Sequence, residues 1–198
     1  MKPALACGGG EELGVYLIAR GSVAISFRGN DKGLRFLGSA LAFAAQNPSA
    51  PHREYILEGL VADSSELVVW MRRDLAEDPE AVAGGETEAP GPALASLPPP
   101  GARLQIVLHG DEGHSGQGLT GHVCIQGNAE GIRFLSQTCE KLAAAGEAAG
   151  EAGGVAGGVA PAVLLKPRLH LLDGSQPAIF ELATPVRPLS REVWEGFW

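Results

Sequence analysis

Two stretches of the chain alternate between apolar and polar side chains, and each leads into a helical pattern. Residues 25–28 and 123–126 show this period of two, which predicts half-buried strands. Asn30 and Asn128 follow, and each is a good N-cap because its side-chain oxygen can accept from the first helical turn. Apolar residues then recur at steps of three and four, so each helix has one apolar stripe for packing on a sheet. The stripes are Leu34, Leu37, Leu41 and Ala44, and Ile132, Leu135, Cys139 and Leu142.

The two helix starts share a nine-residue sequence. Residues 29–37 and 127–135 are identical at six of nine positions, with an offset of 98 residues. The match predicts an internal repeat of strand, strand, helix, strand, strand, with units at 13–73 and 102–187. We therefore predict an α+β fold in which each unit is an antiparallel sheet with one helix packed on a face, the two units forming a pseudo-dimer.

Three segments have compositions that differ from the rest of the chain. Residues 74–101 are acidic and then proline-rich, which predicts an interdomain linker. Residues 143–162 are almost wholly Ala, Gly, Val and Glu, and we interpret them as a low-complexity insert. Strands are expected after it at 163–172 and 178–183. The aromatic tail at 188–198 is expected either to dock on the parent domain or to anchor a partner.

Charge and composition exclude several classes of function. The chain has 23 acidic and 15 basic residues, and this net charge of -8 argues against nucleic-acid binding and favours a basic partner or simple solubility. No run approaches the roughly 20 apolar residues of a membrane span. Too few apolar residues precede Cys7 for a secretion signal, so we expect a cytoplasmic protein with free thiols at its three cysteines.

Glycine at the third position of each helix requires an explanation other than helix propensity, because it costs roughly 1 kcal/mol relative to alanine. Gly33 and Gly131 predict close packing of helix on strand. The alternative is an anion site at a helix N-terminus, although the pattern lacks the lysine of a phosphate loop.

Potential metal ligands and nucleophiles occur together in the second unit. Residues 109–114 carry four potential metal ligands, but this loop is glycine-rich and lacks a rigid second shell, so no metal is expected. Cys124 or Ser115 could pair with His122 as nucleophile and base, but no acidic residue is placed to orient the base. We therefore predict no catalytic site and no cofactor. The four potential ligands are His109, Asp111, Glu112 and His114.

Two pairs of basic residues fall at corresponding positions of the units. Arg35 and Arg133 lie one residue from the apolar stripes, where they could form an ion pair within each unit or share a binding function. His52 and His170 fall near the third strand of each unit. A histidine on a strand is more often a packed hydrogen-bonding residue than a ligand, so both are only candidates.

The strand running into Gly-Asn-x-x-Gly-Leu, the leucine-stepped helix and the run Arg168-Leu-His-Leu-Leu-Asp173 resemble the bacterial immunity protein 32 family. The matching stretches of the first unit are residues 29–37, 52–57 and 65–70. The resemblance implies a cytoplasmic binding protein that protects bacteria from polymorphic toxins and has no catalytic activity. This chain differs by carrying two copies, a long acidic linker and an Ala/Gly insert.

The sequence thus predicts a non-catalytic protein-binding module, and the resemblance implies an immunity protein that neutralises a toxin by direct binding. We expect a basic toxin domain as partner, and a monomer with internal pseudo-symmetry or a weak dimer. The alternative is a small-ligand or anion-binding domain, or an enzyme, that uses the helix N-termini or residues 109–114. Candidate partner-binding residues are Asn30, Arg35, His52, Asn128, Arg133, His170, Trp194 and Trp198.

Overall fold

The structure is a computed structural model of the 198-residue chain. It describes residues 4–20, 22–46, 52–72, 75, 93–110, 121–151, 161–183 and 186. We call residues 4–75 the first half and residues 93–186 the second half. The elements within the described residues are β1 (Ala4–Ala6), β2 (Leu13–Arg20), β3 (Ser22–Gly29), α1 (Asp31–Gln46), β4 (His52–Glu58), β5 (Leu67–Arg72), β6 (Ala93–Leu94), β7 (Leu104–Gly110), β8 (Gly121–Gly127), α2 (Ala129–Glu151), β9 (Ala162–Leu165) and β10 (Ala178–Leu182).

The strands form two five-stranded sheets, and each sheet contains strands from both halves. The first sheet has the order β1-β4-β5-β8-β7 and the second has the order β2-β3-β10-β9-β6. In each sheet the halves meet along one parallel strand pair. Leu67 of β5 pairs with Val123 of β8 in the first sheet, and Ile25 of β3 pairs with Ala178 of β10 in the second.

The predicted α+β class is confirmed, but the prediction of one antiparallel sheet per unit is wrong. The hairpins β2–β3, β4–β5, β7–β8 and β9–β10 are antiparallel as expected. Each hairpin then joins a hairpin of the other half through a parallel pair, so both sheets are mixed. Apolar alternation identifies a strand and its buried face, but it does not identify which strand satisfies the N–H and C=O groups along its open edge.

The two helices pack against each other and supply much of the core. Both predicted apolar stripes are buried, from Leu34 to Ala44 in α1 and from Ile132 to Leu142 in α2. The helices cross closely at Gly38, whose carbonyl accepts a hydrogen bond of 2.7 Å from Ser136 Oγ. A Cβ at Gly38 would lie 3.2 Å from the Ser136 carbonyl, so the absence of a side chain permits this approach.

Ordered structure extends into two segments that the sequence analysis had set apart. Ala93 and Leu94, in the predicted linker, form β6 and pair in parallel with Val163 and Leu164 of β9. In the predicted low-complexity insert, helix α2 continues to Glu151. Alanine has the highest helix propensity, so an alanine-rich stretch that follows a packed helix can extend it. Residues 76–92 and 152–160 lie outside the described residues.

The predicted strand at 163–172 is shorter than expected. Strand β9 ends at Leu165, and Arg168 has a φ of 64°, in the left-handed region that is incompatible with an extended strand. A turn follows instead, in which the Arg168 N–H donates to the Leu171 carbonyl at 2.7 Å. Apolar alternation alone does not reveal this reversal of the chain.

The side chain of Asn30 fastens the start of α1 to the segment before β2. Its Oδ1 accepts from the Gly33 N–H at 2.7 Å and from the Glu12 N–H at 3.2 Å. Its Nδ2 donates to the Gly10 carbonyl at 2.9 Å. The amide therefore caps the helix and fixes the path of the incoming chain at the same time.

Asn128 makes the same three bonds at the start of α2. Its Oδ1 accepts from the N–H groups of Gly131 at 2.9 Å and Arg103 at 3.0 Å, and its Nδ2 donates to the Gly101 carbonyl at 2.7 Å. The N-cap predictions are thus confirmed for both asparagines. The shared Gly-Asn-x-x-Gly sequence encodes one local structure at two places.

Gly33 and Gly131 allow the carbonyl of the preceding segment to approach the helix. A Cβ at Gly33 would overlap the Glu12 carbonyl, and a Cβ at Gly131 would overlap the Arg103 carbonyl. Both obstructing atoms belong to the backbone, which cannot move aside as a flexible side chain can. The close-packing interpretation of these glycines is confirmed.

Replacing Gly131 by alanine is expected to destabilise the protein by about 1–3 kcal/mol, because overpacking against the Arg103 carbonyl outweighs the helix propensity gained. Urea unfolding followed by circular dichroism measures the free energy of unfolding. Gly9→Ala is the control, since no atom lies within 4 Å of a Cβ built there. Unchanged or increased stability of Gly131→Ala would contradict the account of this motif.

Candidate binding surface

The parallel junction of the first sheet assembles a polar and aromatic cluster on one face. We call this cluster of five residues the Trp70–His122 surface. Strand register places them on the face opposite the buried residues Leu67, Val69 and Ile125. Both halves of the chain contribute to it. The five residues are Trp70 and Arg72 of β5, His122 and Gln126 of β8, and His109 of β7.

Arg72 holds the centre of this surface together. Its guanidinium carbon lies 4.9 Å from the centroid of the Trp70 ring, within the range of a cation–π interaction. Its Nη1 donates to Gln126 Oε1 at 3.0 Å, which crosses the junction between the halves. Because the amide oxygen faces Arg72, the amide nitrogen of Gln126 faces away from it.

His109 and His122 continue the surface along β7 and β8. Gln126 Nε2 lies 3.1 Å from His109 Nε2, and since an amide nitrogen only donates, the histidine nitrogen accepts. The two imidazole rings stack with centroids 5.3 Å apart and an interplanar angle of 22°. His109 is exposed, whereas Trp70, Arg72 and His122 are half-buried, so a partner could contact these groups.

The corresponding face of the second sheet is more closed. Arg28 and Glu181, from β3 and β10, form an ion pair of 3.1 Å across the other parallel junction. Their side chains are only 12% and 11% exposed, and neighbouring Tyr16 is buried. A face whose charges neutralise each other offers fewer contacts than one that presents Trp, Arg and His side chains, because Trp and Arg dominate binding energy in interfaces.

The candidate residues from the repeated helix starts have local roles. Asn30 and Asn128 use both ends of their amides within the chain. Arg133 lies 3.8 Å from Glu130 in an exposed ion pair one helical turn apart, which agrees with the ion-pair interpretation for α2. Arg35 is half-buried on α1. The asparagines and His170 bond to different segments and do not converge on one site.

His170 is a buried structural residue. It is 4% exposed, its Nδ1 accepts from the Lys166 N–H at 3.1 Å, and its Nε2 lies 3.0 Å from the Ala95 carbonyl. Because Nδ1 accepts, Nε2 carries the proton and donates to Ala95. Burial lowers the pKa of this imidazole, and Lys166 adds to the effect, although the bond to Ala95 opposes it.

The other candidates are only partly placed by the structure. His52 belongs to β4, where its backbone pairs with Arg72, but its side chain lies outside the described positions. Trp194 and Trp198 also lie outside them, as do residues 111–115 of the loop considered for chemistry. Elsewhere in the described chain, no three His, Cys, Asp or Glu side chains form a group that could hold a metal ion.

The cysteines are poorly suited to nucleophilic chemistry. None of the three forms a disulfide. Burial, and then the Glu11 carboxylate, raise the pKa of the Cys7 thiol to about 11. Burial also raises the pKa of the fully buried Cys139 thiol, and Cys124 is only 2% exposed. Neutral or buried thiols are weak nucleophiles near neutral pH.

Comparison of the chain with protein-family models, with curated proteins and with solved structures found no match in any of the three. Functional inference therefore depends on the chain's own residues and geometry. Among the helices that the structure describes, none is long and apolar enough to cross a bilayer.

Stability is expected to fall as the pH decreases below about 6.5, the ordinary pKa of histidine, because the unfolded chain protonates His170 more readily than the folded protein does. The contribution is fully present above that pH and declines until the pH reaches the lowered pKa of the folded state. Thermal unfolding between pH 7.5 and pH 5 measures this slope, and His170→Gln should flatten it. An equal slope in the variant would show that His170 is not responsible.

Proposed function

We propose that this chain is a non-catalytic protein-binding module that contacts its partner through the Trp70–His122 surface. The main evidence is the stacking of Arg72 on Trp70. The two residues lie half-buried at the junction of the two halves, and Arg72 also donates a hydrogen bond to Gln126. Because contacts within the chain already hold this pair in place, it loses little side-chain entropy on binding. Trp and Arg are also enriched among the residues that supply most of the binding energy in interfaces.

A toxin domain is the partner that we propose. The basis is the resemblance of the two Gly-Asn-x-x-Gly units to bacterial immunity proteins, which act in the cytoplasm by binding a toxin. The net charge of -8 would speed the approach of a basic domain through long-range attraction. Contacts at the Trp70–His122 surface would then determine the dissociation rate of the complex.

We also infer that the two halves are diverged copies arranged as an internal dimer. In support, Asn30 and Asn128 make matching bonds, and a hydrogen bond between the helices joins Gly38 to Ser136, which are 98 residues apart like the repeated motifs. Similar matches occur at the sheet edges. The Leu13 carbonyl accepts from the Val61 N–H at 2.9 Å, and the Leu104 carbonyl accepts from the Leu172 N–H at 2.8 Å.

The alternative of an anion site at the helix N-termini has less support. In each helix, the N–H of the third residue, Gly33 or Gly131, donates to the capping asparagine. The carbonyl of Glu12 or Arg103 also occupies the space beside that glycine. An anion would therefore have to displace both the cap and the preceding segment.

To test the proposal, the full chain is used as bait in a low-salt pull-down from the organism that encodes it, and the captured protein is purified for calorimetry. Arg72→Ala and Trp70→Ala are each expected to weaken binding about 30-fold, because each removes one member of the stack. His109→Ala, at an exposed position, provides a further variant that spares the fold. Arg133→Ala, on the exposed face of α2, is the control.

Capture of a toxin domain, with loss of affinity in the Trp70, Arg72 and His109 variants but not in Arg133→Ala, is the expected result. Full affinity in both variants, combined with loss in Arg133→Ala, would move the contact surface to the helix starts. Thermal stabilisation by inorganic phosphate without any protein partner would instead favour the ligand-binding alternative.

A further inference from the structure

A cavity of about 390 Å³ opens between α2, β9 and the segment that follows β6. It lies beside the second sheet, and none of its lining residues belongs to the Trp70–His122 surface. Its walls combine mostly small apolar side chains with two hydroxyls, from Ser96 and Thr138, and one ammonium group. The residues that line it include Ala95, Thr138, Lys141, Leu142, Ala145 and Val163.

Strand register identifies the positions of the first half that correspond to this cavity. Tyr55 pairs with Val69 on β5, as Val163 pairs with Phe180 on β10, so Tyr55 and Val163 are matched. Helix positions are matched by the repeat offset of 98, which relates Phe43 to Lys141.

The strands at the sheet edges can be matched in the same way. Leu5 of β1 pairs with Leu57 of β4. Leu94 of β6 pairs with Leu164 of β9. Because the two strands are parallel, the next residue, Ala95, lies beside Leu165. Leu57 and Leu165 are themselves matched, because they pair with Leu67 and Ala178. Ala95 therefore corresponds to Leu5.

Large side chains occupy the corresponding region of the first half. The rings of Phe43 and Tyr55 meet edge to face, with centroids 6.0 Å apart and an interplanar angle of 81°. Tyr55 is completely buried, and Leu5 is packed against the core. In the second half, lysine, valine and alanine replace these three residues. The cavity therefore lies where the other half has a buried tyrosine, a phenylalanine that is 47% exposed and a leucine.

Lys141 gives the cavity a charge preference. Lys141 is exposed, and among the residues that the structure describes its side chain has no ion-pair or hydrogen-bond partner. The hydroxyl of Thr138 already donates to the Phe134 carbonyl at 3.0 Å, so it offers no free hydrogen to an incoming group. An apolar hollow with one adjacent ammonium group favours an aromatic ring that carries a nearby carboxylate.

We propose that this cavity binds an aromatic side chain of the protein partner, with a neighbouring acidic residue of that partner paired to Lys141. The inference rests on the proposed function, since it assumes a protein partner. It adds a second contact on the opposite sheet and specifies its chemistry. The ring would replace the aromatic packing that Phe43 and Tyr55 provide in the first half.

The test uses the full chain with labelled methyl groups and a blocked dipeptide, acetyl-Glu-Phe-amide, at millimolar concentration. Saturable shifts of the Val163 and Leu142 methyl resonances are expected. Acetyl-Glu-Ala-amide should bind about 10- to 100-fold more weakly, because it lacks the buried ring. Acetyl-Gln-Phe-amide should bind a few-fold more weakly through loss of the ion pair.

A filled variant provides the matched control. Lys141→Phe combined with Val163→Tyr recreates the pair found in the first half, and it should remain folded while losing the dipeptide response. Ala95→Leu alone is a second, milder filling variant if the double variant does not fold. Equal shifts with acetyl-Glu-Ala-amide, or an unchanged response in a folded filled variant, would overturn the proposal. Tighter binding of free phenylacetate than of the dipeptide would assign the cavity to a small molecule and would also overturn it.

The captured partner separates this inference from the proposed function. If the filled variant binds the partner with unchanged affinity while Trp70→Ala does not, the cavity proposal fails and the proposed function stands. If no partner is captured but the dipeptide binds, the proposed function loses its support and the ring-binding chemistry remains. A 10-fold or greater loss in the filled variant supports both.

Discussion

Two parallel strand pairs, β3 with β10 and β5 with β8, hold the molecule together. Each pair joins a hairpin of one half to a hairpin of the other, so neither sheet exists without both halves. The stacked rings of Phe27 and Phe180, with centroids 4.4 Å apart, reinforce one junction on its buried side, and the Arg28–Glu181 ion pair spans its other face. Helix contact at Gly38 then ties the two sheets through a shared core.

The two halves differ in side-chain chemistry at corresponding strand and helix positions. At the junction of the second sheet, Arg28 and Glu181 form an ion pair, whereas the corresponding positions of the first sheet carry the buried Gln126 and the half-buried Trp70. Near α2, Lys141 stands 98 residues after Phe43 and lines a cavity. Two halves with corresponding strands and helices thus carry different side chains at corresponding positions.

Local features of the fold could be predicted from the sequence because they depend on neighbours along the chain. The capping by Asn30 and Asn128, the close packing at Gly33 and the buried helix stripes follow from short-range patterns. Exchange of strands between halves could not be predicted, since both possible pairings satisfy the same alternation. The candidate Trp70–His122 surface was missed for the same reason: Trp70 and Gln126 are 56 positions apart and meet through the parallel junction.

Separating the two halves tests the shared sheets most directly. Residues 1–75 and 93–198 would be expressed alone and together, and amide NMR dispersion with light scattering would report folding and mass. Neither half is expected to fold as a monomer, because each sheet would lose the strands that the other half contributes. The co-expressed halves should form a folded one-to-one complex. A dispersed spectrum from either half as a monomer would contradict the account.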